Sequence, residues 1–364
     1  MKNAAYIFFL LFLAACSDNV RVTGTIEGGL ENGDSIFLMS PNKQNGADIL
    51  SKSIVENGAF ELSGNVELPA VCNVVTFTPQ GRLARKMDFI AEGGDVEIKV
   101  LPGYYRVSGT PLNDAMQQVR DSMEIASRIY KRYYNKKAVS PNLSEMGRKE
   151  ADDAMAIASY QYKGVLYRCI ESNIDNILAA YLIKNNIDVI EPAKGLQFIR
   201  ELPAACKDNV IAYINKLYTA QERSAVGKPF IDIKMCDANG KLHALSTYAG
   251  GGTPLLINLW TSGSRASLDA ALAVEGLQKE LGERVRCIGI SIDTGYNTWR
   301  GAIEKEGFSC VQLTDLKGWE SDFMKHYGVD KAPYFVLVGG DGIIRYRGIS
   351  FSDASSMLQE LIQE

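Results

Sequence analysis

The sequence predicts an α/β protein in which an antiparallel β-sandwich domain and a helical segment precede a C-terminal α/β domain. Three patterns indicate this order: apolar and polar residues alternate between turn dipeptides over 21–109, apolar residues recur at helical spacing over 110–223, and strand-like and helix-like segments alternate over 224–364. Strand and helix alternation is typical of parallel strands joined by crossover helices. Any chemistry is therefore expected at the strand ends of the last domain.

Composition describes an ordinary globular chain without a basic excess. The 364 residues are 46% hydrophobic and 23% charged, with 39 Lys and Arg against 43 Asp and Glu. This length is sufficient for two or three domains with separate cores. Because nucleic-acid binding requires clustered positive charge, nucleic acid is not an expected partner.

Residues 1–15 have the pattern of a signal peptide. A positive charge at Lys2 precedes an apolar run from Ala4 to Ala15 that is interrupted only by Tyr6. That run is well short of the roughly 20 residues that span a bilayer.

The end of this segment, Leu13-Ala14-Ala15-Cys16, resembles the bacterial lipobox. The resemblance implies that Cys16 is acylated and begins the mature chain, with 16–20 as the tether. More than one acyl chain gives stable anchoring, so we expect a membrane-bound protein of the cell envelope, at the periplasmic face or in the outer membrane. A plain secretory peptide with an incidental cysteine is the alternative.

The other cysteines show no redox or metal-binding spacing. They are Cys72, Cys169, Cys206, Cys236, Cys287 and Cys310, and no two form a C-x-x-C motif. An exported protein can hold disulfides, yet no spacing here indicates a pair. Most stand in apolar runs, so we interpret them as small buried hydrophobic residues.

The β-domain over 21–109 is predicted from short alternating segments. These are Val22–Ile26, Ser35–Leu38, Ala59–Leu62, Val71–Phe77 and Val96–Val100. Asn32-Gly33, Asn57-Gly58 and Gly93-Gly94 between them supply the positive φ that tight hairpins need. This range has no histidine and no cluster of acidic residues, so no catalytic group is predicted in it.

The helical segment over 110–223 begins at Thr110-Pro111 and has breaks near Pro141, Pro192 and Pro203. One helix face is formed by Leu112, Met116, Val119, Met123, Ala126, Tyr130 and Tyr133. Spacing of three and four residues predicts that this face packs. The tyrosines that continue it, including Tyr134 and Tyr160, are likewise interpreted as packing residues rather than as a ligand surface.

In the last range, 224–229 is the predicted linker. Strands are expected at Ile231–Met235, Leu255–Trp260, Val285–Ile292, Tyr334–Val338 and Ile343–Arg347, and helices before Leu281, at Thr298–Glu306, at Glu320–Tyr327 and at the C-terminus. A polar turn, Thr261 to Ser264, separates the strand ending in Trp260 from the helix that follows.

Five motifs identify a family for this range. They are Val226-Gly227-Lys228-Pro229-Phe230, Asp237-Ala238-Asn239-Gly240-Lys241, Leu255–Trp260, Tyr327-Gly328-Val329 with Ala332-Pro333, and Gly340-Asp341-Gly342. Together they resemble the membrane-tethered thioredoxin-like proteins of the TlpA and ResA type. The lipobox, β-domain and helical segment resemble the Bacteroidetes arrangement, in which a domain of unknown function precedes the thioredoxin-like fold.

The resemblance implies thiol-disulfide chemistry, but the residues that perform it are absent. The family's two cysteines fall at Ser264 and Ser267, and a hydroxyl neither ionises like a thiol nor forms a disulfide. Nearby family positions also differ, at Gly263, Leu268, Ala270 and Leu272. We expect a redox-inactive relative, a pseudo-enzyme without catalytic residues at this turn, with no cofactor and no metal.

The parts of the family site that remain suit binding. Trp260 is kept, and Pro333 matches the family's cis-proline, whose preceding residue, here Ala332, offers backbone groups to an extended peptide. Arg265 begins the helix and opposes its dipole, so we expect it to meet a carboxylate of a partner. A peptide or envelope protein is therefore the predicted partner.

Two other functions stay open at this point. One is an oxidoreductase that uses displaced cysteines, with Cys310 or Cys236 as candidates. The other is a passive module that presents the β-domain to a partner. A serine nucleophile needs a nearby base. His243 is expected on a hairpin strand before the central sheet and His326 in the helix that leads to Pro333, so neither is expected beside Ser264.

Overall fold

The structure is a computed structural model that describes residues 19–42, 46–77, 83–139 and 144–363. The predicted signal peptide and Cys16 lie outside the described residues. Within the described ranges, no helix is both long and apolar enough to cross a membrane.

The chain forms two compact units. The first contains Met1–Ile190 and Glu201–Lys207, and the second contains Glu191–Arg200 and Asp208–Glu364. The boundary between them falls inside the predicted helical range 110–223. The predicted domain ranges stay predictions.

The first unit contains two four-stranded sheets. Its strands are β1 (Asn19–Ile26), β2 (Ser35–Asn42), β3 (Gly46–Ile54), β4 (Ala59–Asn65), β5 (Ala70–Phe77), β6 (Leu83–Ala91), β7 (Asp95–Leu101) and β8 (Tyr104–Ser108). One sheet has the order β4-β1-β7-β8 and the other β3-β2-β5-β6. The alternation is visible in β7, where Val96, Ile98 and Val100 are buried between exposed residues. Strands β3, β6 and β8 were not predicted, and the sandwich packing of the sheets stays a prediction.

The turn dipeptides adopt the predicted backbone conformation, and Asn57-Gly58 forms a tight turn closed by an antiparallel bridge between Glu56 and Ala59. Asn57 and Gly58 have φ of 51° and 72°, and Gly33, Gly93 and Gly94 also have positive φ. Each of these turns joins strands of different sheets: β1 to β2, β3 to β4, and β6 to β7. A turn residue fixes the local chain reversal, whereas burial of one strand face selects the sheet that the strand joins.

One pairing departs from the predicted antiparallel domain. Strand β1 pairs with β4 in antiparallel fashion but with β7 in parallel, in the register Val22 to Val96. A short turn forces its two strands to run antiparallel. Because β1 and β7 lie far apart in the chain, no such turn sets their relative direction.

Three helices complete the first unit: α1 (Pro111–Val139), α2 (Glu145–Ser172) and α3 (Ile177–Asn185). The predicted apolar face is buried at Met116 and Val119, but Met123 and Tyr130 are exposed. The packing interpretation is therefore wrong for the exposed tyrosines Tyr130, Tyr134 and Tyr160, whereas Tyr162, which continues the same series, is buried.

The second unit is built around one seven-stranded sheet. Its elements are α4 (Pro192–Glu201), α5 (Asn209–Arg223), β9 (Lys234–Asp237), β10 (Leu242–Ala244), β11 (Leu255–Trp260), α6 (Arg265–Leu281), β12 (Arg286–Ser291), α7 (Tyr296–Glu306), β13 (Val311–Thr314), α8 (Asp322–Tyr327), β14 (Tyr334–Val338), β15 (Ile344–Gly348) and α9 (Phe351–Gln363). Strand β10 is the hairpin strand expected to contain His243, whereas β13 was not predicted and β9 begins later than expected, at Lys234. The predicted breaks hold at Pro192, which begins α4, and at Pro203, which lies between α4 and α5.

The strand order is β10-β9-β13-β12-β11-β14-β15. Strands β11, β12 and β13 are parallel, and β14 and β15 add an antiparallel hairpin beside β11. This is the predicted set of parallel strands closed by a hairpin, and it gives the second unit a thioredoxin-like fold. Every residue of β11 is buried, as expected for a central strand that is covered on both faces.

Arg347 on β15 holds the end of α5 to this sheet. Its guanidinium donates to the main-chain oxygens of Gln221 at 3.1 Å, Ser224 at 3.0 Å and Tyr327 at 2.6 Å, and also to the Ser224 hydroxyl. The Arg347 Nε donates to the Tyr334 hydroxyl at 3.0 Å. Hydrogen bonds from a charged donor to carbonyl groups are stronger than neutral ones. The Arg347 side chain therefore fixes the end of α5 against the sheet.

Candidate functional site

The candidate site is the turn between β11 and α6, at the carboxyl ends of the parallel strands. Trp260 ends β11 with its side chain fully buried, and its Nε1 donates to Gln312 Oε1 at 2.9 Å. The ladder between β11 and β14 pairs Leu259 with Tyr334. Pro333, which directly precedes β14, therefore lies beside the end of β11.

Both serines use their hydroxyl oxygens to hold the turn. Ser264 is the N-cap of α6, and its Oγ accepts from the Ser267 N–H at 3.3 Å. Ser267 is completely buried, and its Oγ accepts from the Thr261 N–H at 3.2 Å. A serine that accepts from the helix N-terminus satisfies a main-chain donor that would otherwise lack a partner. These two hydroxyls therefore have structural tasks.

A carboxylate that the sequence did not indicate completes the turn. Asp293 follows β12 and accepts from the Thr261 hydroxyl at 2.7 Å, from the Ser262 N–H at 3.1 Å and from the Ser262 hydroxyl at 3.0 Å. The Ser291 hydroxyl donates to its other oxygen at 2.8 Å. The sequence contained one signal for Asp293, because an acidic residue directly after a buried parallel strand lies at the carboxyl ends of the strands, where such folds place their sites.

Arg265 has a carboxylate partner in its own helix. Its Nη2 donates to Asp269 Oδ1 at 2.5 Å, and both side chains are more than half exposed. This hydrogen bond and the nearby charge raise the pKa of Arg265 above its ordinary value. The spacing of four residues was visible in the sequence as a helix ion pair. The expectation that Arg265 meets a partner's carboxylate stays a prediction.

The Ala332–Pro333 peptide bond is cis. Ala332 is half-buried and precedes β14. In the part of the chain that the structure describes, neither its N–H nor its C=O makes a hydrogen bond to another backbone group. These two groups are therefore available to a bound chain.

Cys310 lies at the opposite end of the sheet from the serine turn. It directly precedes β13, Cys287 is the second residue of β12, and Glu275 of α6 accepts from the Cys310 N–H at 2.8 Å. Strands rise about 3.3 Å per residue, so the four residues from Cys287 to Ser291 separate the two ends by about 13 Å. Burial raises the pKa of Cys287 to about 12, and burial together with Glu275 raises that of Cys310.

Cys236 lies at the same end of the strands as the serine turn, but several strands away across the sheet. The registers align Trp260 with Ser291, Ser291 with Thr314, and Thr314 with Cys236. Three strand spacings of about 4.8 Å place the Cα atoms of Trp260 and Cys236 about 14 Å apart. A disulfide requires Cα atoms within about 7 Å, and all six cysteines in the described residues are free.

Neither histidine approaches Ser264 through a hydrogen bond. His243 lies on β10, where its Nε2 contacts Asp237 Oδ2 at 2.9 Å and its Nδ1 contacts the Tyr248 hydroxyl at 2.8 Å. His326 lies in α8 with an exposed side chain. The described residues contain no group of three His, Cys, Asp or Glu side chains that could hold a metal ion.

Comparison with known proteins assigns a family to part of the first unit. Residues 20–116 match the family described as a domain of unknown function, DUF4369. This range spans the eight strands and the beginning of α1. No curated protein matches the chain.

Solved structures similar to part of the chain are thiol-disulfide oxidoreductase domains. One from Bacteroides fragilis is 26% identical and covers 37% of this chain and 99% of its own, with a TM-score of 0.35. The thioredoxin domain of another, from Bacteroides vulgatus, is 19% identical and covers 38% of this chain and 98% of its own, with a TM-score of 0.35.

A third similar structure is the pneumococcal exposed lipoprotein thioredoxin from Streptococcus pneumoniae. It is 18% identical and covers 37% of this chain and the whole of its own, with a TM-score of 0.31. Likenesses at these scores do not transfer a reaction or a location to this chain.

Proposed function

We propose that this chain is a lipid-anchored, redox-inactive thioredoxin-like protein of the cell envelope that binds an extended peptide or a partner protein. The binding surface is formed by the Ser264 turn and the Ala332–Pro333 loop. The observation that carries the proposal is the use of the Ser264 and Ser267 hydroxyls as hydrogen-bond acceptors within the turn. Residues in the family's redox positions have become part of the scaffold.

The chemistry of oxygen supports the loss of redox exchange. Disulfide exchange needs a thiolate that attacks and a second thiol that resolves the mixed disulfide. Ser264 and Ser267 supply neither. Cys310 lies about 13 Å from the serine turn along the sheet, and Cys236 lies about 14 Å from it across the strands. These distances give no support to an enzyme that uses displaced cysteines.

The main chain of Ala332 supports peptide binding. An extended peptide gains affinity when its backbone pairs with exposed N–H and C=O groups, and this gain does not depend on sulfur. Ala332 offers both groups next to the first residue of β14, and the buried Trp260 gives the neighbouring strand end a rigid base. Binding is therefore chemically independent of the lost thiols.

Photo-crosslinking in the native envelope tests the proposal. A benzoylphenylalanine at Gly263, which is exposed within the turn, is expected to capture specific envelope polypeptides. The matched control carries the same group at Glu280, which is exposed near the other end of α6. Identical capture profiles for the two positions would show that the turn has no binding role and would favour the β-domain as the binding surface.

A further inference from the structure

The first unit contains a cavity that the proposed function does not use. It has a volume of about 660 Å³ and lies between α1, the end of β6 that contains Arg85, strand β8, and residues of α2 and α3. Sites for small organic molecules have volumes of roughly 300–1,000 Å³. The cavity therefore has the size of a small-molecule site.

Part of the lining is apolar and aromatic. Met116, Val119 and Leu182 are buried in the wall, and Tyr105 and Tyr181 add aromatic faces. Pockets that bind organic ligands combine such surfaces with a small number of polar groups that orient the ligand. An uncharged, apolar body fits this part of the cavity.

Arg120 is the polar group at the centre of the wall. Its Nη2 donates to the main-chain oxygen of Asp88 at 3.1 Å and to the Tyr181 hydroxyl at 3.2 Å. Its guanidinium carbon lies 4.5 Å from the centre of the Tyr105 ring. Its Nη1 is buried and has no hydrogen-bond partner. A buried donor without a partner costs about 1–3 kcal/mol, so the guanidinium is incompletely satisfied.

The neighbouring carboxylates are engaged elsewhere. Asp121 pairs with Arg106 at 2.7 Å, and Glu124 pairs with Arg128 at 3.1 Å. The Asp88 carboxylate accepts from the Tyr181 hydroxyl at 3.1 Å and pairs with Lys86 at 3.3 Å.

Within the described residues, no ion pair joins Arg120 to a carboxylate. The lining as a whole is basic, with Arg85, Lys86, Arg106, Arg120 and Arg128 against Asp121 and Glu124. The Arg120 Nη1 therefore lacks a hydrogen-bond acceptor, which a bound ligand can supply.

We propose that this cavity binds a small organic carboxylate, with its apolar or aromatic body against Met116, Val119 and Leu182 and its carboxylate directed to Arg120. A carboxylate suits the unpartnered Nη1 of Arg120, because it forms strong charge-assisted hydrogen bonds with a guanidinium. The tyrosine hydroxyls beside Arg120 hold the guanidinium in place.

The test is a calorimetric titration of the full-length protein in lipid nanodiscs with 4-phenylbutyrate. The matched neutral probe is 4-phenylbutyramide, which has the same body without the charge. We expect saturable binding of the acid and affinity at least about tenfold weaker for the amide and for Arg120→Met, which lose the charge-assisted contact. Lys131→Met, on the same helix but exposed and outside the lining, is expected to bind like the wild type.

Several outcomes would overturn the proposal. They are equal affinity for acid and amide, unchanged binding by Arg120→Met, absence of saturable acid binding up to millimolar concentration, or displacement of the acid by inorganic phosphate at equal concentration. Circular dichroism checks the fold of each variant. If Arg120→Met does not fold, the acid and amide pair on the wild-type protein decides the question alone.

Discussion

At the scale of single residues, the turn after β11 is held together by hydrogen bonds to side-chain oxygen atoms. Ser264 and Ser267 accept main-chain hydrogen bonds, and Asp293 gathers the hydroxyls of Thr261 and Ser262. The serine positions were readable from the sequence because they follow an apolar strand at a fixed spacing. Asp293 was not, because its contacts join residues about 30 positions apart and depend on burial.

Asp293→Asn should destabilise the second unit. The amide nitrogen that replaces one carboxylate oxygen faces donors, so we expect the free energy of unfolding to fall by about 1–3 kcal/mol. Chemical denaturation followed by tryptophan fluorescence measures the effect, since Trp260, Trp299 and Trp319 all belong to this unit.

The control for this substitution is Asp269→Asn, which removes only the exposed pair with Arg265. Exposed pairs contribute about 0–1 kcal/mol, so this variant should unfold close to the wild type. Equal unfolding midpoints for the Asp293 and Asp269 variants would mean that the Asp293 hydrogen bonds do not hold the turn.

At the scale of elements, α6 begins at the serine turn, where the proposed function places a helix without a reactive thiol. A helix N-terminus lowers the pKa of a thiol through its dipole and free N–H groups. In α6 one of these groups, the Ser267 N–H, donates to the Ser264 hydroxyl. Helix α6 therefore serves to pack against the sheet.

The full-length protein should not reduce insulin with dithiothreitol as the electron source above the background of the reductant. Ser264→Cys with Ser267→Cys should restore little activity, because Gly263 and Leu268 differ from the family pattern around the site. The assay follows insulin precipitation at neutral pH. Turnover by the wild type that disappears on Cys310→Ser or Cys236→Ser would contradict the proposed loss of redox chemistry.

The helices and strands show which parts of the fold are determined by residues close together in the sequence. Long apolar runs predicted β11 and β12 because burial on both faces leaves a continuous hydrophobic signal. The short β13, with four residues, was missed because it leaves too few positions for a period to appear. Asn57-Gly58 revealed a reversal of the chain but not the sheet to which β4 belongs, which depends on contacts distant in sequence.

At the scale of the whole molecule, two compact units each contain a candidate binding site, and a proposed lipid anchor precedes them. The first unit has the cavity around Arg120, and the second has the serine turn. The anchor depends on Cys16, which lies outside the described residues. It was inferred from local sequence alone.

Cys16→Ala should remove the anchor. Without the sulfur that receives the acyl group, we expect either release of the chain from membranes or accumulation of the unprocessed precursor, because the apolar run 4–15 is shorter than the roughly 20 residues of a spanning helix. Membrane fractionation with immunoblotting distinguishes these states from the wild type. Processing and membrane association identical to those of the wild type would refute the lipobox.

Arg347 reaches the end of α5 chiefly through carbonyl oxygens, which every amino acid possesses. Exchange of a side chain leaves such an oxygen in place. Insertion or deletion of one residue rotates the following part of a helix by about a quarter of a turn and carries the oxygen away. During evolution, selection at this junction therefore acts more on the number of residues in the segment than on the identity of its amino acids.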